Sequence, residues 1–167
     1  ISPNSGDRQA VDGKTGVRHL VFHYTGMHSA AAALARLADP TAQVSAHYLL
    51  DEDGAITRLV GEDKRAWHAG KSFWRGVRDI NSTSVGIEIV NPGHDHGYRA
   101  FPDVQIEALI ELSADIIARH GIAPLSRALG CGLRERLPGR SVSRTAGSAD
   151  RARVVRALFR TRARGGA

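Results

Sequence analysis

Three stretches of this 167-residue chain carry side chains able to do chemistry. Leu20-Val21-Phe22 is a short apolar run of strand formers, followed by His23 and ended by Gly26. That places an imidazole at the end of a buried strand, where a rigid scaffold can hold a functional group over a cleft, although a hydrogen-bonded core histidine has the same signature. Val85-Gly86-Ile87-Glu88-Ile89-Val90 reads as a second buried strand interrupted by one charge. A carboxylate buried without a partner is costly, so Glu88 must face a cation, a metal or a wet cleft. Between these runs, a Gly-punctuated loop over 62–76 holds Ala66-Trp67-His68-Ala69-Gly70 and Phe73-Trp74-Arg75-Gly76. Both tryptophans therefore lie in one loop, either as a binding rim or as rings folded over the edge of the core. His94-Asp95-His96 has metal-pair spacing but sits in a polar loop and reads as solvated.

These groups need elements to position them. Ser29 is placed to cap an Ala-rich helix over 29–37, with Leu34 and Leu37 on one side and Asp39-Pro40 closing it. Residues 44–50 and 55–60 are strand-like runs around Asp51-Glu52-Asp53-Gly54, which is a hairpin pattern. Residues 81–84 read as a turn. Asp103 is expected to cap an amphipathic helix running to His120, with Val104, Ile106, Leu109, Ile110, Leu112, Ile116 and Ile117 on its apolar face and Gly121 as its stop. Residues 1–16 read as an extended polar lead-in without chemistry, 125–130 as a short strand or turn, 151–159 as one helical face, and 160–167 as disordered.

The length suits one domain with a real core, and the single cysteine, Cys131, excludes an intramolecular disulfide. No apolar run approaches the ~20 residues of a membrane span and no charged-then-apolar leader opens the chain, so a soluble protein without a membrane span is expected. The net charge of +6 is unevenly spread: residues 1–130 hold 13 Lys+Arg against 15 Asp+Glu, whereas 131–167 hold ten arginines against two acids. Those arginines are spread among Ser, Gly and Ala rather than interleaved with aromatic residues, Phe159 being the one aromatic side chain in the segment, so no nucleic-acid partner is expected.

In their order along the chain, these segments resemble the zinc-dependent N-acetylmuramoyl-L-alanine amidases of the type-2 amidase and peptidoglycan-recognition-protein superfamily. The resemblance rests on Ser2-Pro3-Asn4, His23-Tyr24-Thr25-Gly26-Met27, Val44-Ser45-Ala46-His47-Tyr48, Ala66-Trp67-His68-Ala69-Gly70, residues 81–90, and Phe101-Pro102-Asp103 through Ile122. It implies an α/β fold, a single-domain mixed β-sheet flanked by helices, with a zinc ion (Zn2+) in a groove that accepts peptidoglycan or muropeptide. The implied reaction is cleavage of the amide between N-acetylmuramic acid and L-alanine. By the same resemblance His23 is a zinc ligand and Glu88 acts on the zinc-bound water. Trp67, His68 and Asn81 resemble substrate-contacting groove residues. Tyr48 is either an oxyanion-stabilising hydroxyl or a half-buried strand residue.

The resemblance covers residues 1–130, the amidase-like domain, and changes in the Arg-rich segment 131–167. Where relatives show Leu-Gly-His-Ser-Asp, this chain reads Leu129-Gly130-Cys131-Gly132-Leu133. The family's second histidine ligand would fall on Cys131, its lysine on Ser141 and its aspartate ligand on Ser143. Thiolate is a competent zinc ligand, which makes His23 and Cys131 the expected metal-binding residues. The abrupt change of composition at Cys131 is what a frame-shifted reading of an amidase gene would produce, and the coding DNA would show it. A bacterial enzyme of the cytoplasm or of the periplasm and cell envelope is expected, with a non-catalytic muropeptide-binding module as the alternative.

Overall fold

The computed structural model describes residues 2–123, all but the last of which belong to a compact unit spanning Ile1–Ile122. The boundary expected at residue 130, Cys131, and the elements expected over 125–130 and 151–159 lie outside the described residues. In chain order the elements are β1 (Ser5–Asp7), β2 (His19–Tyr24), α1 (Ala30–Ala38), β3 (Tyr48–Leu50), β4 (Ile56–Arg58), β5 (Lys64–Ala66), β6 (Phe73–Trp74), β7 (Val77–Arg78), α2 (Ile80–Thr83), β8 (Ser84–Ile89) and α3 (Asp103–His120). Short 3-10 turns occupy Pro40–Ala42 and His94–His96.

The central sheet has the order β2-β8-β3-β4 and is mixed: β8 runs parallel to both β2 and β3, and β3 pairs antiparallel with β4. The two apolar runs seen in the sequence are thus adjacent strands. Paired residues of a sheet share a face, so His23, Glu88 and Leu49 lie on one side and Phe22, Ile87 and Tyr48 on the other. On the first side Leu49 packs with Ala33 and Leu37 of α1, together with Leu59, Val60, Ala66 and Val90. On the second side lies α3.

The expected helices and hairpin form. Ser29 Oγ accepts the Ala32 N–H at 3.2 Å and caps α1. Gly54, with φ +87°, closes the β3–β4 turn through its N–H to Asp51 O. Gly121 ends α3 in the left-handed conformation with its N–H on Ile117 O. At the start of α3, Pro102 is the capping residue and Asp103 makes no side-chain cap. Its carboxylate instead sits in the first turn, where it favours the helix dipole. Val104 is exposed and Gln105 is fully buried, its Nε2 donating to Leu50 O and Val90 O at the ends of β3 and β8. An amide at that position satisfies strand-end carbonyls that a hydrophobic residue could not.

The strand expected over 44–50 is confined to Tyr48–Leu50: ahead of it the Ser45 N–H goes to Trp67 O, outside the hairpin, while the His47 N–H goes to Gly86 O and His47 O accepts from Leu59. The region expected as a loop over 62–76 contains β5, which pairs with β1, and β6, which forms a hairpin with β7 just beyond it. The N-terminal lead-in is an anchor as well as a strand. The Arg8 guanidinium donates to the carbonyls of Glu62, Asn81, Ser82 and Ser84, tying the 62–84 region to the chain start. Among the described residues no helix is long and apolar enough to cross a membrane.

Candidate active site

His23 and Glu88 are register partners near the C-terminal ends of two parallel strands. Open α/β sheets bind ligands beyond the carboxyl ends of their strands. The Glu88 carboxyl makes no hydrogen bond or ion pair among the described residues, and burial pushes it up to about 7. It opens into a cavity of about 160 Å³, whose walls include Met27, Arg36, Leu37, Val44 and Trp67 and to which His68 also contributes. Of the three settings the sequence left open for Glu88, a cation, a metal or a wet cleft, the described residues pair no cation with it, and the carboxyl faces this open cavity.

The loop carrying His68 is held from both sides. Asn81 Oδ1 accepts the N–H groups of His68 (3.1 Å) and Ala69 (2.8 Å), and Ser45 exchanges two hydrogen bonds with the Trp67 backbone. The His68 ring then lies flat on Gly86, in the volume a Cβ would occupy. This close approach explains the glycine of the Gly86-Ile87-Glu88 run.

Hydrogen bonding fixes how the clustered imidazoles carry their protons. Ser84 Oγ gives its one hydrogen to Ile80 O at 2.6 Å, so it accepts from His68 Nε2 at 3.0 Å. His68 is neutral, burial and the surrounding groups pushing it down to about 3, so its Nδ1 is the accepting nitrogen. That nitrogen lies 3.0 Å from His23 Nε2, which therefore donates. In the adjacent ring, His47 Nδ1 accepts the Gly86 N–H at 3.0 Å and Nε2 donates to Lys64 O at 3.1 Å. Burial pushes His47 down to about 4 and lowers His23 as well. Of the three rings, only His23 Nδ1 keeps a lone pair without a partner among the described residues.

The structure brings His23, Glu88, His68 and Trp67 to one side of the sheet. It separates Tyr48 from them, correcting the expectation of an oxyanion-stabilising hydroxyl there. Tyr48 faces the opposite side and donates to Glu62 Oε1 at 2.5 Å, and Glu62 also receives Arg119 and His120 from α3. Asn81 is buried at 3% exposure with its carbonyl oxygen spent on the His68 loop, so its place is under the groove wall rather than on it. Trp74 stands apart from the cavity on the exposed β6–β7 hairpin, with the Arg75 guanidinium over its ring. His94 and His96 are exposed, as read from the sequence, with His94 stacked on Tyr98. Sequence reasoning gave no role to His47, Ser84 or Arg8. The only signal available was the alternation of Ser45, His47 and Leu49 onto one face.

Among the described residues no three His, Cys, Asp or Glu side chains are grouped to hold a metal ion. Hydrogen bonding accounts for this at His47 and His68, whose ring nitrogens are all engaged. His23 fits a metal: it has a free Nδ1 lone pair, its other N–H is fixed by a hydrogen bond, and a carboxylate is its neighbour.

A family profile described as N-acetylmuramoyl-L-alanine amidase matches residues 13–147, which reaches into the Arg-rich segment. The amidase AmiD of Escherichia coli is 41% identical over 129 residues, covering 70% of this chain and 46% of AmiD. The 1,6-anhydro-N-acetylmuramyl-L-alanine amidase AmpD of Citrobacter freundii is 41% identical over 78 residues, or 47% of this chain and 40% of AmpD. The chain thus spans less than half the length of these relatives. The solved complex of Escherichia coli AmiD with anhydro-N-acetylmuramic acid-L-Ala-D-gamma-Glu-L-Lys superposes with a TM-score of 0.59 at 39% identity, covering 70% of this chain and 49% of that one.

Proposed function

This chain belongs to the N-acetylmuramoyl-L-alanine amidase family, and we propose that it hydrolyses the amide between N-acetylmuramic acid and L-alanine in muropeptides or peptidoglycan. The observation that carries this reading is Glu88: an unpaired carboxyl, raised to about 7, that lines an open cavity and is the strand-register partner of His23. A carboxyl of that acidity can act as base and then as acid near neutral pH. Glu88 takes a proton from water as the water oxygen attacks the lactyl carbonyl carbon. The C–N bond then breaks and Glu88 passes the proton to the departing alanine nitrogen, leaving a lactyl carboxylic acid and a free peptide amine.

Zinc is part of the proposal. His23, through Nδ1, and Cys131 are the residues that would hold it. When bound, the ion supplies Lewis acidity to an amide carbonyl that water alone attacks slowly. The rest of the cavity binds substrate: Trp67 with Met27, Leu37 and Val44 offers apolar walls, and Arg36 offers a positive charge. The peptide in the AmiD complex suits such a rim, because a gamma-linked glutamate leaves a free carboxylate two residues beyond the scissile amide.

Muropeptide binding without cleavage is the second reading, favoured by Ser141 and Ser143 where the family places lysine and aspartate. Two measurements decide. Purified, dialysed protein should contain near one zinc per chain, lost in Cys131→Ser. Zinc-loaded protein should release L-Ala-D-γ-Glu-L-Lys from the anhydromuropeptide, detected by mass spectrometry. Bound but uncleaved muropeptide would replace the amidase reading with the binding module.

A further inference from the structure

We propose that His68 is a positioning residue, acting through His23 rather than on substrate: the line His23–His68–Ser84–Ile80 fixes which nitrogen of His23 is left to work. The functional meaning of this positioning role rests on the amidase reading of His23.

Direction in this line comes from its far end. A backbone carbonyl can only accept, so the Ser84 hydroxyl must point its hydrogen at Ile80 O, 2.6 Å away. A neutral imidazole carries one N–H and one bare nitrogen, so each following contact between neutral rings inherits that polarity: His68 Nε2–H to Ser84 Oγ, then His23 Nε2–H to His68 Nδ1, both at 3.0 Å. The opposite polarity would set the Ser84 hydrogen against His68 and leave Ile80 O without it. Three further features make the line rigid. Ser84 is fully buried, the His68 ring fills the space above Gly86, and the backbone of His68 is held by Asn81.

The consequence falls on His23. Its Nε2–H is committed and its ring plane is held, so Nδ1 presents a lone pair without a tautomer change or a ring rotation. A metal-ligating histidine ordinarily has its second N–H fixed by a carboxylate, a carbonyl or water, and disturbing that partner costs roughly 10–100-fold in metal affinity. Here a neutral imidazole takes that place. Because both His68 nitrogens are spent on the line, His68 has no polar atom left for substrate.

The test reads protons and metal, not turnover. In protein labelled with 15N at histidine, His23 and His68 should each show protonated Nε2 and bare Nδ1, with a His23 N–H protected from solvent exchange. A bare Nε2 on either ring overturns the proposal. Zinc affinity, measured by competition with a chromophoric chelator, should fall roughly 10–100-fold in His68→Leu. In His68→Asn, whose amide oxygen can accept in place of Nδ1, it should stay within a few-fold of the parent. Equal affinities in parent and His68→Leu, or an equal loss in both variants, overturn it. Should the nitrogen pattern hold while muropeptide is not cleaved, the amidase reading alone fails.

Discussion

Glu88 of β8 and His23 of β2 are direct partners in a parallel register, so the proposed base and the residue proposed to hold the metal are set side by side by backbone pairing alone. Neither residue depends on a flexible loop for its place. The cost is a carboxyl that is poorly solvated and unpaired.

Glu88→Gln should lower muropeptide hydrolysis by roughly 10²–10⁴-fold while leaving zinc content unchanged, since the amide keeps the shape and loses the proton acceptor. Retained turnover, measured by release of the free peptide, would remove Glu88 as the base.

The same substitution should stabilise the zinc-free protein at alkaline pH. The folded-state pKa of Glu88, about 7, lies above the ordinary 4.5. Folding therefore favours the protonated form, and wild-type stability declines as pH rises from about 4.5 through about 7. The difference in melting temperature between Glu88→Gln and wild type should grow across that window and level off above it. A pH-independent difference would contradict the raised pKa.

Glu62 should behave in the opposite sense. Burial raises its pKa, but hydrogen bonds from Arg119, Tyr48 and His120 outweigh that and hold it at about 2. Its contribution is present above about 4.5 and is lost as pH falls toward 2. Acid unfolding of Glu62→Gln, followed by circular dichroism, should lack that segment of pH dependence, with stability at pH 7 reduced by roughly 2 kcal/mol.

Tyr48→Phe should cost about 1–2 kcal/mol by removing a donor to the charged Glu62, and should leave kcat unchanged because the hydroxyl faces away from Glu88. A large fall in kcat with little loss of stability would return Tyr48 to the site.

Arg36→Ala should raise KM about tenfold for a stem peptide with a free glutamate carboxylate, the weight of about 1.4 kcal/mol. It should do little for the same substrate carrying the amide. Equal KM changes for the two substrates would mean that Arg36 does not read the carboxylate.

The strands at β2 and β8, the capped helix α1, the β3–β4 hairpin and the stop of α3 at Gly121 were all legible in the sequence, because each is written in neighbouring residues as periodicity, a cap or a turn. So was the oddity of Glu88, since an unpaired charge in an apolar run demands an explanation wherever the strand lies. What only the tertiary structure decided was pairing across distance. β1 and β5 are too short to show a period, and they exist because each is the other's partner. Tyr48 and Glu88 fall on opposite faces because strand register alternates by single residues, which no local pattern reports. His68 and Asn81 look like groove residues in the sequence, yet their hydrogen bonds run inward, to His23 and Ser84 and to the His68 loop backbone. Composition shows that the chain carries His23, His47 and His68, but only the packed arrangement of Gly86, Ser84 and Ile80 determines that His23 Nδ1 is the nitrogen left free.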